Sequence, residues 1–255
     1  MMMDAGVLDL RVEARARRPA IAVPDALAAA VIATWRGRML NEYGSSFVFD
    51  GLAAQLAALG WSADAAEARA FAAEEREHGA LCGAVVEAAG GEARGLANSS
   101  PQLPMHTDTT PRVAALRNLL SICCLGETVA VALIGAERLE MPAGPLRDLL
   151  ERILADEVGH ARFGWRLLAR EAPSLATAEL DGLARYLPTA LAHLEAHELR
   201  HIPVATQWPI EGPHYGLCDG ADARALFIDT VLQVIIPGLE AHGLPAARAW
   251  KARNA

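Results

Sequence analysis

Two stretches of the chain carry a glutamate and a histidine one helical turn apart in apolar surroundings. AEEREHGAL holds Glu75 and His78, and ADEVGHARFGW holds Glu157 and His160. Residues three apart share a helix face, so each pair presents a carboxylate beside an imidazole. Burying a charge or an unpaired imidazole near Ile153, Leu154, Leu167 and Leu168 is costly. Either the pairs face solvent, or something between them offsets that cost. Spacing alone does not decide. The chain has 19 Glu and 8 His, so chance placement gives fewer than one Glu-x-x-His pair, yet four occur. Of the other two, Glu211/His214 contains Gly212 and Pro213 and is no regular helix. Glu198/His201 lies beside Arg200 at a helix end, where a solvated face is expected.

Each mid-helix pair follows a single glutamate. Glu42 precedes Glu75 by 33 residues, and Glu127 precedes Glu157 by 30. A unit of Glu, helix, turn, helix and Glu-x-x-His therefore occurs twice. Glu42 shares a stripe with Val31, Trp35, Met39, Ser46 and Phe49, which directs it toward a core. Glu127, in SICCLGETVAVALIG, shares a face with Leu120, Cys123, Cys124, Val131 and Ile134, and no other charge lies between Arg117 and Glu137. If both hairpins are antiparallel, Glu127 comes level with Glu157 and Glu42 with Glu75. Four carboxylates and two imidazoles then converge. Such oxygen and nitrogen donors suit two ions of iron or manganese.

Six helical stretches must position these groups. The first runs from Pro24-Asp25 to about Gly60. The second covers about 63–89, with Ser62 as its N-cap and Gly90-Gly91 as its stop. Residues 92–111 are rich in Ser, Thr, Pro and Asn and form a long connection. The third helix starts near Pro111 and reaches about Leu139. After the turn at 141–145 a fourth covers about 146–171, and a fifth about 176–201. An irregular stretch, 202–220, precedes a sixth helix over about 221–243, kinked at Pro237. Residues 1–23 are expected to be a frayed or loosely docked tail, and the basic end LPAARAWKARNA a mobile one. The single domain is 24–255, with a core at 24–171 and extra helices at 176–243. Short turns make antiparallel neighbours and a long loop crosses the end of a bundle. The pattern is all-α, a four-helix bundle with one long crossover and two additional C-terminal helices.

A Glu from each of two helices and a Glu-x-x-His from each of two others is the ligand set of ferritin-like di-iron carboxylate proteins. Over about 25–171 the chain resembles that superfamily. The resemblance implies that Glu75 and Glu157 bridge two metal ions, that Glu42 and His78 complete one, and that Glu127 and His160 complete the other. It also suggests Asp156, and less fully Glu74, as acids that steady a ligand histidine. Cys82 and Cys123, one turn from His78 and Glu127, are expected to line the site without ligating.

By the same resemblance two Fe ions, or Mn/Fe or Mn/Mn in their place, would activate O2. Two readings stay open: an oxidase, oxygenase or hydroxylase of a small organic substrate, and a metal-binding, iron-oxidising or storage protein without one. An oxygenase would need an external electron donor. The two added helices and the irregular stretch with Trp208, His214 and Tyr215, which suits a lid or binding loop, favour a substrate. Small residues beside the ligands (Gly44, Ser45, Ser46, Gly126, Gly159) leave either a cavity or close helix packing. No CxxC pair suggests a rubredoxin-type iron site. His193, His197 and His201 recur every four residues on one face. That face is either a polar surface interleaved with Glu195 and Glu198 or an extra ligand or proton relay.

Composition narrows the class. Hydrophobic residues make up 53% and aromatics 5%, which favours packed helix over disorder or sheet. A net charge of −8 without a basic stripe argues against nucleic acid. Cys82, Cys123, Cys124 and Cys218 do not form a disulfide framework, and reduced thiols are expected. No uninterrupted apolar run reaches the ~18 residues of a membrane span. The start has no secretory h-region, so a cytoplasmic location is expected, with a homodimer left open.

Overall fold

The computed structural model describes residues 6–96, 103–204 and 208–254. The protein is mostly helical, with a two-stranded sheet. It divides into two compact units. One comprises Met1–Leu103, Ala136–Ile153 and Gln207–Cys218; the other comprises Pro104–Gly135, Leu154–Thr206 and Asp219–Ala255.

In the first unit α2 (Asp25–Ala58) and α3 (Ser62–Ala88) form a hairpin. Gly60 turns the chain at φ 77°, a left-handed conformation that glycine adopts without a side-chain clash. Met39 packs on Gly83 and Tyr43 on Gly79, so residue numbers fall along α3 as they rise along α2, and the pair is antiparallel. The predicted stripe of Val31, Trp35, Met39, Ser46 and Phe49 is buried. Ser62 opens α3 but does not cap it with its side chain; Trp61 holds the cap position.

Where a frayed or loosely docked tail was expected, the chain from Val7 onward is folded against the first unit. Strand β1 (Val7–Asp9) pairs antiparallel with β2 (Arg94–Leu96), and α1 (Arg11–Ala16) packs on α3. Leu10 and Ala14 are buried. Arg15 Nε donates to Glu87 at 2.9 Å, and Arg17 donates to both oxygens of Glu77. A strand of three residues leaves no readable alternation, so β1 and β2 gave no sequence signal. The long connection therefore begins with a strand; its residues 97–102 lie outside the described residues.

The second unit begins with α4 (Pro111–Leu119), with Pro111 at its first turn as read; its cap is Thr110, whose Oγ1 accepts from Val113 N. A π-helical turn, Leu120–Gly126, follows, then α5 (Glu127–Glu140) and α6 (Pro145–Glu171), of which Ala136–Ile153 belongs to the first unit. Arg112 binds Glu171, and Cys123 packs on Gly164, so α4 and its extension run antiparallel to α6. Next comes α7 (Thr177–His201), which packs on α4 and the π turn. The sixth predicted helix is in three parts: α8 (Gly220–Thr230), a second π turn (Val231–Ile235) and α9 (Ile236–Glu240). Proline has no N–H, and its ring collides with the carbonyl four residues back. The widened turn ahead of Pro237 absorbs both effects.

The C-terminal stretch is also ordered, not mobile. Ala246, Ala249 and Trp250 bury one face of α10 (Ala246–Ala252). Arg253 binds both oxygens of Glu195 at 2.8 Å and covers the Trp250 ring. By length and composition, the helical run Pro111–Glu140 qualifies as a membrane-crossing helix, with a mean hydropathy of 2.1 in its most apolar window. Counting only uninterrupted apolar residues misses it, because Glu127 breaks the run. Core helices of soluble proteins pass the same test.

Candidate metal centre

Glutamate on α2 and the Glu-x-x-His of α3 meet in the first unit. Glu42, Glu75 and His78 each offer one ligand atom, and these atoms lie within 4.8 Å of one another. Glu75 and His78 are fully enclosed and Glu42 is half-buried. His78 Nδ1 stands 3.9 Å from Glu42 Oε2. Two glycines allow this approach. A Cβ on Gly79 would stand 3.1 Å from Tyr43 Cβ and 3.3 Å from Met39 O, and one on Gly83 would stand 3.2 Å from Met39 Sδ. Glycine at 79 and 83, one turn apart on α3, brings the two backbones together beside His78.

The second unit repeats the arrangement. Glu127 opens α5, and Glu157 and His160 lie on α6. Their ligand atoms are again within 4.8 Å of one another, and all three residues are buried. His160 Nδ1 is 3.2 Å from Glu157 Oε2. Donors bound to one ion at ~2.0–2.2 Å stand ~3 Å apart when adjacent, so both triads have a spacing that can close on a metal. Carboxylate oxygen and imidazole nitrogen suit iron, manganese or zinc, and no soft thiolate is among them. The buried Glu/His groups could therefore hold a metal ion.

Glu127 sits at the end of the π turn: its N–H bonds to Ile122 O, five residues back. Turns of this kind are rare and recur at functional sites, because the inserted residue shifts the phase of everything after it. Ser121 within the turn hydrogen-bonds the Tyr186 hydroxyl at 2.8 Å, and Trp165 Nε1 donates to Thr128 Oγ1 at 3.0 Å. These contacts tie the turn to α7 and α5 to α6. None was foreseen, and residue types alone carry no signal for them. The predicted face is buried only in part. Leu120, Cys123, Cys124 and Glu127 are buried, but Val131 and Ile134 are only half-buried.

Cys82, Cys123 and Cys124 are buried free thiols and Cys218 is partly exposed. Burial pushes the Cys124 thiol far above its ordinary range. Of the small residues beside the ligands, Ser46 donates to Tyr43 O, while a Cβ on Gly159 would meet open space. Asp156 and Glu74 are half-buried. Among the described residues His193, His197 and His201 join neither triad. Glu211 and His214 are exposed at a 3₁₀ turn, Gly212–Tyr215.

The segment expected as a lid spends its aromatic groups on the fold. Tyr215 O accepts from Trp35 Nε1 at 2.8 Å, the Tyr215 hydroxyl donates to Ala22 O, and Trp208 Nε1 donates to Cys218 O. Beside Trp35, Arg38 grips both oxygens of Glu137 at 2.9 and 2.5 Å. Gly216, at φ 83°, fits against Trp35 and Glu137 where a Cβ would collide.

No family model, curated protein or solved structure matches the chain.

Proposed function

We propose that the two triads are halves of one dinuclear centre in a ferritin-like bundle, and that the protein is a non-haem oxidoreductase that activates O2. The observation that carries this reading is the duplicated set: Glu42, Glu75 and His78 in one unit, Glu127, Glu157 and His160 in the other. Two independent accidents would not repeat ligand type, spacing and burial together. In this reading Glu42, Glu75, His78, Glu127, Glu157 and His160 would hold the two ions, with Glu75 and Glu157 shared between them as the resemblance implies. Paired iron or manganese ions supply single-electron steps to O2. The chain's own part is to hold six donors in a dry, apolar setting, where electrostatic interactions are stronger than in water. Gly79 and Gly83 set the α2–α3 spacing, and the π turn sets the angle at which Glu127 leaves its helix. The substrate is an organic molecule, with an external donor supplying electrons if the reaction is an oxygenation.

The test is the metal content of protein made with iron and with manganese supplied, followed by O2 consumption of the reduced protein. About two ions per chain are expected, falling in Glu75→Ala and in Glu157→Ala, with O2 uptake that falls in parallel. No bound metal under either condition, or full retention in both variants, overturns the proposal.

A further inference from the structure

Helix α7 ends in His197-Glu-Leu-Arg-His201. Two histidines four apart on one helix face, with Glu after the first, form a recurrent zinc-binding pattern. Here the pattern is on a real helix, and the rings of His197 and His201 face each other, centroids 5.3 Å apart at 63°. His193, one turn earlier, stacks on His197 at 6.0 Å and 16°. Positions 193 and 201 are separated by ~12 Å of helix rise, too far to share one ion with Zn–N bonds of ~2.0–2.1 Å. His197 and His201 are the pair that can chelate, and His193 supports the His197 ring from the other side.

We propose that His197 and His201 form a zinc site at the C-terminal end of α7, separate from the carboxylate centre and completed by water. Three features of the structure support it. The pair is imidazole only, which suits zinc and its late first-row neighbours, whereas the buried triads are rich in carboxylate. Glu195, on the preceding turn, is held by Arg253 and Asn254, and Glu198 stands within the motif, half-buried between the two histidines. Burial, and then the charges that His201, His193 and Arg200 would carry, keep His197 unprotonated down to about 4. A neutral imidazole is the form that binds metal. His201 is exposed, so its ring can turn to close the pair.

Calorimetric titration with Zn²⁺, on protein whose existing metal content has been measured, tests this. Wild type is expected to take up about one zinc ion per chain beyond what the buried donors hold. That uptake should persist in Glu75→Ala and vanish in His197→Gln and in His201→Gln, with unchanged helical circular dichroism. His193→Gln should keep the ion. His201→Gln alters an exposed side chain and decides the matter if His197→Gln fails to fold. Absence of the extra uptake in wild type, or its retention in His201→Gln, overturns the proposal. Loss of metal from Glu75→Ala with zinc uptake intact concerns only the buried centre.

Discussion

Alanine at position 164 should destabilise the protein although it sits inside a helix. Replacing an interior helical glycine by alanine normally gains ~1 kcal/mol, chiefly by restricting the unfolded chain. Gly164 on α6 faces the π turn. A Cβ there would lie 3.0 Å from Cys123 C and 3.1 Å from Cys124 N, and closer still to Cys123 Cβ. Carbon atoms rest at ~3.5–4.0 Å, so the two segments must separate by roughly 0.5–1 Å. The clashing atoms are main chain or directly attached to it, so no rotamer relieves them. Overpacking of this kind costs ~1–3 kcal/mol and sometimes more. The net loss is ~1–2 kcal/mol, or ~2–8 °C in Tm at ~2–4 °C per kcal/mol for a chain of this size. Gly159→Ala on the same helix is the control, because its Cβ meets nothing within 4 Å; its Tm should rise by ~1–4 °C. Far-ultraviolet circular dichroism of the metal-free proteins measures both. If Gly164→Ala unfolds at or above the wild-type temperature, the close approach of α6 to the π turn is not what the glycine serves. If Gly159→Ala falls equally, the effect belongs to α6 in general.

Other perturbations probe separate parts of the molecule. Glu137→Gln should cost roughly 1–3 kcal/mol by chemical denaturation, since it leaves the half-buried Arg38 guanidinium without its charged partner. Arg117→Lys should cost ~1–3 kcal/mol, because a lysine cannot bind both oxygens of Asp108 and the Gly182 carbonyl as Arg117 does. His197, depressed from 6.5 to about 4 by burial, makes the unfolded state the stronger proton binder between those values. The cause is a penalty on the charged ring, so the group costs nothing above 6.5 and withdraws stability as pH falls toward about 4, by ~2 kcal/mol after allowance for partial exposure. His197→Gln removes this titration, so its stability relative to wild type should rise as pH falls through that range, as denaturation at several pH values will show. Removing residues 244–255 uncovers the face that held Trp250. That should cost about 4 kcal/mol or more at ~25 cal/mol per Å² of buried apolar surface, lowering the denaturation midpoint.

The legible features were those with a helical period or an energetic contradiction. Asp25–Ala58 announces itself by four apolar residues on one stripe, and its ends were read to within about two residues. Glu75, His78, Glu157 and His160 stood out because burial of such groups needs compensation, and the structure does bury them. The ordered ends were missed for the opposite reason. Strand β1 is three residues long, and its partner lies over eighty residues away. Helix α10 is two turns whose apolar face is mostly alanine. Short elements like these gain order from what they dock on, and a linear pattern does not show the docking surface.

The glycines show where sequence reasoning about a site stops. Gly79, Gly83, Gly159 and Gly164 look alike in the chain: small residues on helices that carry ligands. A cavity and a close backbone contact both call for a missing side chain, so sequence alone leaves the two open. Three-dimensional context separates them: Gly79 and Gly83 admit α2, Gly164 admits the π turn, and Gly159 faces open space. The π turn has the same character. One extra residue in a helical repeat changes no composition and breaks no hydrophobic run, yet it rotates every later side chain relative to the earlier ones. Cys123 and Glu127 are both buried across that shift, while Val131 and Ile134, one and two turns on, lose full burial. Glu127, Val131 and Ile134 all lie within α5 and share one face whatever precedes them, and the loss of full burial extends to every residue of 130–135. What the inserted residue changes is the angle between Cys123 and Glu127, and it does so at the glutamate that the proposed centre requires.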